Sequence, residues 1–306
     1  MKTITVLGSA NMDLVVRQPR LPRPGETLFG SSFETVPGGK GLNQAVAAAR
    51  QGGSVDFVGA VGADAYGERL RALVESEGIR SAGLSTVTGA TGTAHISVTE
   101  SGENSIVVVS GANASVVALS AEQRSTIVGA GYLVMQCELP VVVLEQAIAE
   151  ARAAGVFTVL TPAPVVALPA GFLASVDLVV PNQIEAHELT GHADAERAAE
   201  ALSAGQTWAI VTLGAHGAIV AYDGQVLGLA PARPATAVDT TAAGDSFVGA
   251  LVARLAVTDA AATGTVSPDA MIDAVRWATV AASLTVTRHG ATESLPALAE
   301  VAAILA

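Results

Sequence analysis

Cysteine, aromatic residues and positive charge are all scarce in this chain of 306 residues. Cys137 is its one cysteine, so no disulfide forms within the chain and no thiolate metal cluster can be built. It sits in an apolar run, where a buried, inert thiol is expected. Aromatic residues make up 4% of the sequence against a hydrophobic share of 50%, so the core must be Ala, Val and Leu. Lys and Arg number 16 against 28 Asp and Glu, a net charge of −12. That balance excludes the broad basic surface that nucleic acid or an anionic membrane demands. It leaves nucleotide binding open, because Mg²⁺ and backbone dipoles neutralise phosphate locally. No apolar run approaches ~18 residues, and the N-terminus lacks a signal-peptide layout. A soluble, cytoplasmic protein with no nucleic-acid or membrane partner is expected.

The most informative stretch that is present is Asp239-Thr240-Thr241-Ala242-Ala243-Gly244-Asp245-Ser246-Phe247, followed at once by an alanine-rich apolar run. Three small residues and an aspartate stand where a loop becomes a helix. Unshielded N–H groups at a helix start attract phosphate oxygens, and small side chains let an anion approach the backbone. A carboxylate at that spot puts a base beside the phosphate, which phosphoryl transfer to an alcohol requires. The plainer reading is an N-capping Asp ahead of an ordinary buried helix.

Thr3 to Leu7 is a β-branched run ending in Gly8-Ser9-Ala10-Asn11-Met12-Asp13. Ligands gather beyond the carboxyl ends of parallel strands, which suits Asn11 and Asp13 to a polar ligand. An Asx turn would account for them equally. Pro19, Pro22, Pro24 and Pro37 exclude long helix from 14–37, and a second β-rich piece lies at 92–109. Both are assigned to a β lid formed by about 12–37 and 92–110, with His95 structural. Pro37 to Gln44 is a second glycine loop opening a helix, but not a Walker A loop. Asn43 on its first turn is placed to grip hydroxyls, and Lys40 is either functional or a plain surface lysine.

Strand and helix patterns then alternate. Strands are expected at 55–62, 132–136, 156–160, 177–180, 208–212 and 218–222, and helices at 65–76, 141–154 and around 269–284, with a capping box at Ser120. Trp208 and Trp277 are expected in the core and His289 in a solvated loop. Glu138 ends a strand on the ligand side or caps the next helix. Asn182 and Glu185 share a helix face, as Mg²⁺ ligands or as ordinary first-turn residues. The alternation predicts an α/β fold, a three-layer αβα sandwich on a mostly parallel central sheet. No linker or internal repeat divides it, so residues 1–306 are expected to form a single unit with its lid.

Together these stretches resemble the ribokinase (PfkB-type) carbohydrate kinase family. Gly38-Gly39-Lys40-Gly41-Leu42-Asn43-Gln44-Ala45 resembles its N-terminal glycine motif, and Asp239 to Gly249 its C-terminal ATP-site motif. The resemblance implies ATP-dependent phosphorylation of D-ribose. It implies that Asn11, Asp13, Gly39, Lys40, Asn43 and Glu138 hold the sugar and that Asp245 is the general base. Ala242, Ala243 and Gly244 would form the anion hole. Asn182, Thr212, Gly214, Gly217, Gly244 and Thr279 would line the nucleotide, with Asn182 and Glu185 organising Mg²⁺ through water. A monovalent cation, K⁺, would sit among Asp239, Thr241, Thr285, Arg288, Gly290 and Ser294 and fix the anion-hole loop. A homodimer through the lid is implied as well.

Three positions depart from the family pattern: Thr161 and Val248 where Asn is usual, and Thr279 where Asn or His often stands. None removes a group that does chemistry. The nearest rival is a family kinase for fructose, a keto-deoxy sugar acid or a nucleoside. Arg17, Arg20 and Arg23 would supply the cation a sugar acid needs. A dinucleotide-binding oxidoreductase lacks its G-x-G-x-x-G here, and a non-catalytic sugar-binding regulator has no need of the Gly244-Asp245 pair.

Overall fold

A buried β-branched run pairs on both sides and becomes a central strand, and six such runs with one edge strand make the parallel part of one sheet. The computed structural model describes residues 2–258 and 266–306. The first third holds β1 (Thr3–Leu7), β2 (Asn11–Gln18), β3 (Ser32–Gly38), α1 (Lys40–Arg50), β4 (Ser54–Gly62), α2 (Ala65–Ser76), β5 (Leu84–Val87), β6 (Gly92–Thr99) and β7 (Asn104–Val109). Then come α3 (Ala121–Val128), β8 (Tyr132–Gln136), α4 (Val141–Ala153), β9 (Phe157–Thr161), β10 (Leu178–Val179), α5 (Gln183–Thr190) and α6 (Ala195–Leu202). The remainder is β11 (Trp208–Thr212), β12 (Ala218–Tyr222), β13 (Gln225–Ala230), α7 (Ala243–Val257), α8 (Pro268–Thr285) and α9 (Leu298–Leu305).

The main sheet has nine strands in the order β13-β12-β11-β10-β9-β8-β1-β4-β5. β12 and β13 are antiparallel and the rest parallel. Successive residues of β1 divide between the faces, as a two-residue period requires. Ile4 and Val6 belong to the core cluster that α1, α2, α7 and α8 help to build, while Leu7 belongs to the one built with α3 and α4. A smaller cluster under α5 and α6 completes the second helical layer. The expected αβα sandwich is therefore present. β5, β13, α6 and α9 were not anticipated.

The sequence of strands moves outward from β1 to β4 and β5, then returns to β8 on the other side of β1. That reversal is a topological switch point, and it opens a crevice beyond the carboxyl ends of β1 and β8. Two glycines bring α1 against this crevice. A Cβ on Gly41 would lie 2.6 Å from the Gly8 backbone, and one on Gly8 would lie 2.6 Å from the Gly41 Cα. α7 is buried on nearly all sides. A Cβ on Gly249 would lie 2.5 Å from the Ala47 Cβ, so this glycine lets α7 lie flush on α1.

The remaining strands form a separate sheet in the order β3-β2-β6-β7. Registered partners share a face, so Asp13, Val36, Ala94 and Val108 point to one side, as do Val15, Ile96 and Ile106. β7 is exposed along its whole length, with Ile106 52% and Val107 62% exposed. Trp208 is buried. Trp277 is only partly buried, packed against the edge of the core; its Nε1–H donates to Gln51 Oε1 and the Arg254 guanidinium lies 4.8 Å from its ring. Among the described residues no helix is long and apolar enough to cross a membrane.

Candidate active site

The crevice collects side chains from four elements. Asn11 and Asp13 come from the start of β2, Lys40 and Asn43 from the first turn of α1, Glu138 from the end of β8, and Asp245 from the first turn of α7. Asn43 Nδ2 donates to Asp245 Oδ2 at 3.0 Å, and Gln44 Nε2 donates to Asp245 Oδ1 at 2.9 Å. Glu138 Oε2 accepts from the Lys40 backbone N–H at 3.2 Å and from the Ser9 hydroxyl. Asn11 Oδ1 accepts from Asn113 Nδ2 at 2.8 Å, and Asn113 Oδ1 accepts from the Ala10 N–H at 3.1 Å. Asn113 thereby fixes the Asn11 amide, which leaves the Asn11 NH₂ group directed elsewhere. Gly39 takes φ +93°, and a Cβ there would lie 2.9 Å from the Asn11 nitrogen. The turn into α1 needs glycine at that position.

Burial and crowding of like charge shape the electrostatics. Burial, then the Glu138 and Asp245 carboxylates, pushes Asp13 up to about 7. Burial also raises Asp245, against the opposing pull of Lys40 and of the N–H donors on Asn43 and Gln44. The Asp245 carboxylate, with Glu138 and Glu185, holds the Lys40 ammonium above its ordinary range despite burial. Lys40 is thus the cation around which these acids gather, not a plain surface lysine. The Cys137 thiol is buried and pushed up to about 11, first by burial and then by Glu185 and Glu138, which makes it inert.

At the head of α7, Ala242 adopts a left-handed backbone, φ +58°. Strain of this kind at a non-glycine residue marks a place where backbone direction matters. A Cβ on Gly244 would meet nothing within 4 Å, so the helix start opens onto free space. The Ala243 N–H makes a long 3.3 Å bond to the Thr240 carbonyl. The small residues thus present an approachable helix N-terminus directly before Asp245.

The stretches expected to line a nucleotide also lie side by side. Asn182 and Thr212 form a parallel bridge. Gly214 and Gly217 take φ +56° and +100°, and a Cβ on Gly217 would sit 2.0 Å from the Ala230 oxygen. Asn182 and Glu185 form a reciprocal capping box. Asn182 Oδ1 accepts from the Ile184 and Glu185 N–H groups, and Glu185 Oε2 accepts from the Asn182 N–H. The Asn182 oxygen is therefore spent on the helix, which suits an indirect role toward a metal better than ligation. Thr279 is buried, and its hydroxyl donates to the Arg276 carbonyl of its own helix. A cleft of about 340 Å³ at the opposite ends of β9 to β11, beside Arg152 and Asp177, brings none of these residues together.

Beside the α7 loop, Asp239 Oδ1 accepts from the Thr241 N–H at 2.9 Å and Oδ2 from the Gly290 N–H at 3.0 Å. Burial raises Asp239, but these bonds and nearby His289 outweigh it and hold the carboxyl below its usual range. The Arg288 side chain is turned away to Glu300, and Ser294 Oγ donates to the Ala291 carbonyl at 2.8 Å. The Thr285 carbonyl takes the Arg288 N–H at 3.1 Å. The Asp239 carboxylate, the Thr285 carbonyl and the Ser294 hydroxyl are oxygen donors of the kind a hard cation takes.

Ser9, Gln44, Asn113 and Gln136 were not singled out from sequence as site residues. Ser9, Gln44 and Gln136 lay inside motifs that marked their neighbours. Asn113 lies about 100 residues from Asn11 in sequence and carried no local signal. Arg17, Arg20 and Arg23 are all exposed, and Arg20 is paired with Glu26, so they bring no cation to the crevice.

The chain matches the pfkB family carbohydrate kinase domain over residues 1–298. It is 39% identical to a ribokinase of Haemophilus influenzae over 303 residues, covering 96% of this chain and 95% of that one. It is 37% identical to a ribokinase of Bacillus subtilis over the whole of both chains. The fold superposes on an Arabidopsis thaliana ribokinase complexed with ribose and ATP with a TM-score of 0.88 at 31% identity, covering 99% and 98% of the two chains.

Proposed function

The chain belongs to the pfkB family of carbohydrate kinases, and from that premise we propose that it transfers the γ-phosphoryl group of ATP to the 5-hydroxyl of D-ribose. The products are D-ribose 5-phosphate and ADP. The observation that carries this reading is the Asp245 carboxylate, hydrogen-bonded to Asn43 in the sugar crevice and set on the first turn of α7. One residue thus belongs to both the acceptor side and the phosphate side.

Asn11, Asp13, Gly39, Lys40, Asn43 and Glu138 bind the sugar hydroxyls. Asp245 removes the proton of the attacking hydroxyl, and the N–H groups of Ala242, Ala243 and Gly244 bear the charge that develops on the phosphoryl oxygens. Asn182, Thr212, Gly214, Gly217 and Thr279 line the nucleotide. Mg²⁺ would be carried by the phosphates and water with Glu185 and Asn182 behind them, and would neutralise the transferring group. K⁺ would be held by Asp239, Thr241, Thr285, Arg288, Gly290 and Ser294, and would fix the anion-hole loop.

The whole chain acts as one kinase unit, and the four-stranded sheet closes as a lid that excludes water. Its exposed β7 and the half-exposed Ile106 and Val108 suit a homodimer made through the lid. A sugar-acid substrate loses support, since no arginine reaches the crevice from the 17–23 segment. ADP release from Mg-ATP with a panel of sugars, with and without K⁺, tests the reading. Ribose-dependent release supports it, and turnover on a different sugar would move the substrate while keeping the chemistry.

A further inference from the structure

We propose that Gln44, held in turn by Gln136, is a positioning residue for the Asp245 carboxylate and determines which of its two oxygens faces the sugar hydroxyl. The inference rests on Asp245 being the general base. Gln136 Nε2 donates to Gln44 Oε1 at 2.6 Å, and Gln44 Nε2 donates to Asp245 Oδ1 at 2.9 Å. The same nitrogen lies 3.4 Å from Thr161 Oγ1. The chain of amides therefore runs from the end of β8, through α1, to the head of α7, with a branch to the end of β9.

The direction of the chain follows from the donors and acceptors available. An ionised carboxylate only accepts, so Gln44 must turn its nitrogen to Asp245 and its oxygen to Gln136. Gln136 must then present its own nitrogen. Its oxygen is left against Gly8, buried and without a hydrogen-bond partner. Both glutamines have 0% exposure, so bulk water does not reach them. An unpaired buried carbonyl is destabilising, whereas two apolar side chains of similar shape would fill the space at little cost. Packing alone gives no reason for this arrangement, and orienting Asp245 does.

The two carboxylate oxygens are thereby distinguished. Oδ1 is tied inward by Gln44, and Oδ2 is on the side of Asn43, a sugar-crevice residue whose own Oδ1 is buried and unpartnered. Oδ2 is the oxygen that receives the proton. The Gln44 donor also favours the ionised base, together with Asn43 and Lys40, against burial and the Glu138 charge. Asp13 and Glu185 also face the same cluster of charges. The family departure at Thr161 falls on this chain, because its hydroxyl stands at the second amide proton of Gln44.

The test is steady-state kinetics of the full chain carrying Gln44→Met, Gln136→Met, or both, across a pH series. Gln44→Met should lower kcat about 10- to 100-fold, the effect of one hydrogen bond to a charged group, while KM for the sugar moves less than about twofold. Its acid limb should move to higher pH. Gln136→Met should give a smaller fall of the same kind, and the double variant should be no worse than Gln44→Met, since both act through one bond. An unchanged kcat, a rise in KM alone, or effects that multiply in the double variant would overturn the proposal. If Gln44→Met does not fold, as judged by melting and ATP binding, Gln136→Met carries the test by the same criteria. The variants are compared on whichever sugar the native chain phosphorylates. Failure of ribose turnover in the native chain therefore counts against the substrate, and a variant ratio of one counts against the role of Gln44.

Discussion

Replacing Asp13 by Asn should stabilise the ligand-free protein while weakening its hold on the sugar. Asp13 shares the crevice with Glu138 and Asp245, and burial plus these charges raises its carboxyl from 3.8 to about 7. A raised carboxyl binds its proton more tightly in the folded chain than in the unfolded one. Between about 3.8 and 7 the folded state therefore holds more protons, and stability falls as pH rises through that window. Below it Asp13 imposes no penalty, and above it the penalty is complete. The full shift corresponds to ~4 kcal/mol at about 1.4 kcal/mol per pH unit. Asp13 is only half-buried, so about half of that ceiling, ~2 kcal/mol, is expected after solvent screening. That is ~4 °C in melting temperature for a chain of this length. The assay is thermal melting of both proteins without sugar, at about pH 4 and about pH 8. The Asn variant should gain at the higher pH and not at the lower, and should bind ribose about 10- to 100-fold more weakly. A melting difference that does not change with pH, or a variant less stable at the higher pH, would refute the electrostatic reasoning.

Other perturbations probe separate parts of the structure. Asp239→Ala should lower turnover about tenfold and abolish any stimulation by K⁺. A variant still activated by K⁺ would place the cation elsewhere. Gly249→Ala inserts a methyl group 2.5 Å from the Ala47 Cβ and should destabilise the α1–α7 contact by about 1–3 kcal/mol in denaturant unfolding. No loss would mean that the helices separate freely. Val108→Asp on the exposed β7 should convert a dimer to monomers in sedimentation. An unchanged mass would remove the lid from the interface.

The parts of this protein that were legible in sequence share a physical cause. Buried parallel strands read as β-branched runs, so β1, β8 and β11 stood out, and glycine loops opening helices marked the starts of α1 and α7. β5 and β13 did not stand out, because edge strands are short or half-exposed and carry less of the pattern. Asn11, Asp13, Asn43, Glu138 and Asp245 were singled out because each follows a strand end or opens a helix, and the fold brings them to one crevice. Gln44, Gln136 and Asn113 act through neighbours distant in the chain, and such contacts leave no local trace. Lys40 could have been a surface residue until the fold placed Asp245, Glu138 and Glu185, from three separate parts of the chain, around it. Asn182 and Glu185 illustrate the opposite case. The plain capping reading is realised in full, and any part in catalysis has to operate alongside it.

The account depends most on Asp245 being the base that links sugar to phosphate. The direct measurement is ribose-dependent ADP release by the native chain and by Asp245→Asn, paired with calorimetric titration of ribose into both. The account predicts a fall of about 10²- to 10⁴-fold in turnover, with ribose affinity kept within a few-fold. Turnover near the native rate in the variant, or loss of ribose binding along with activity, would contradict it.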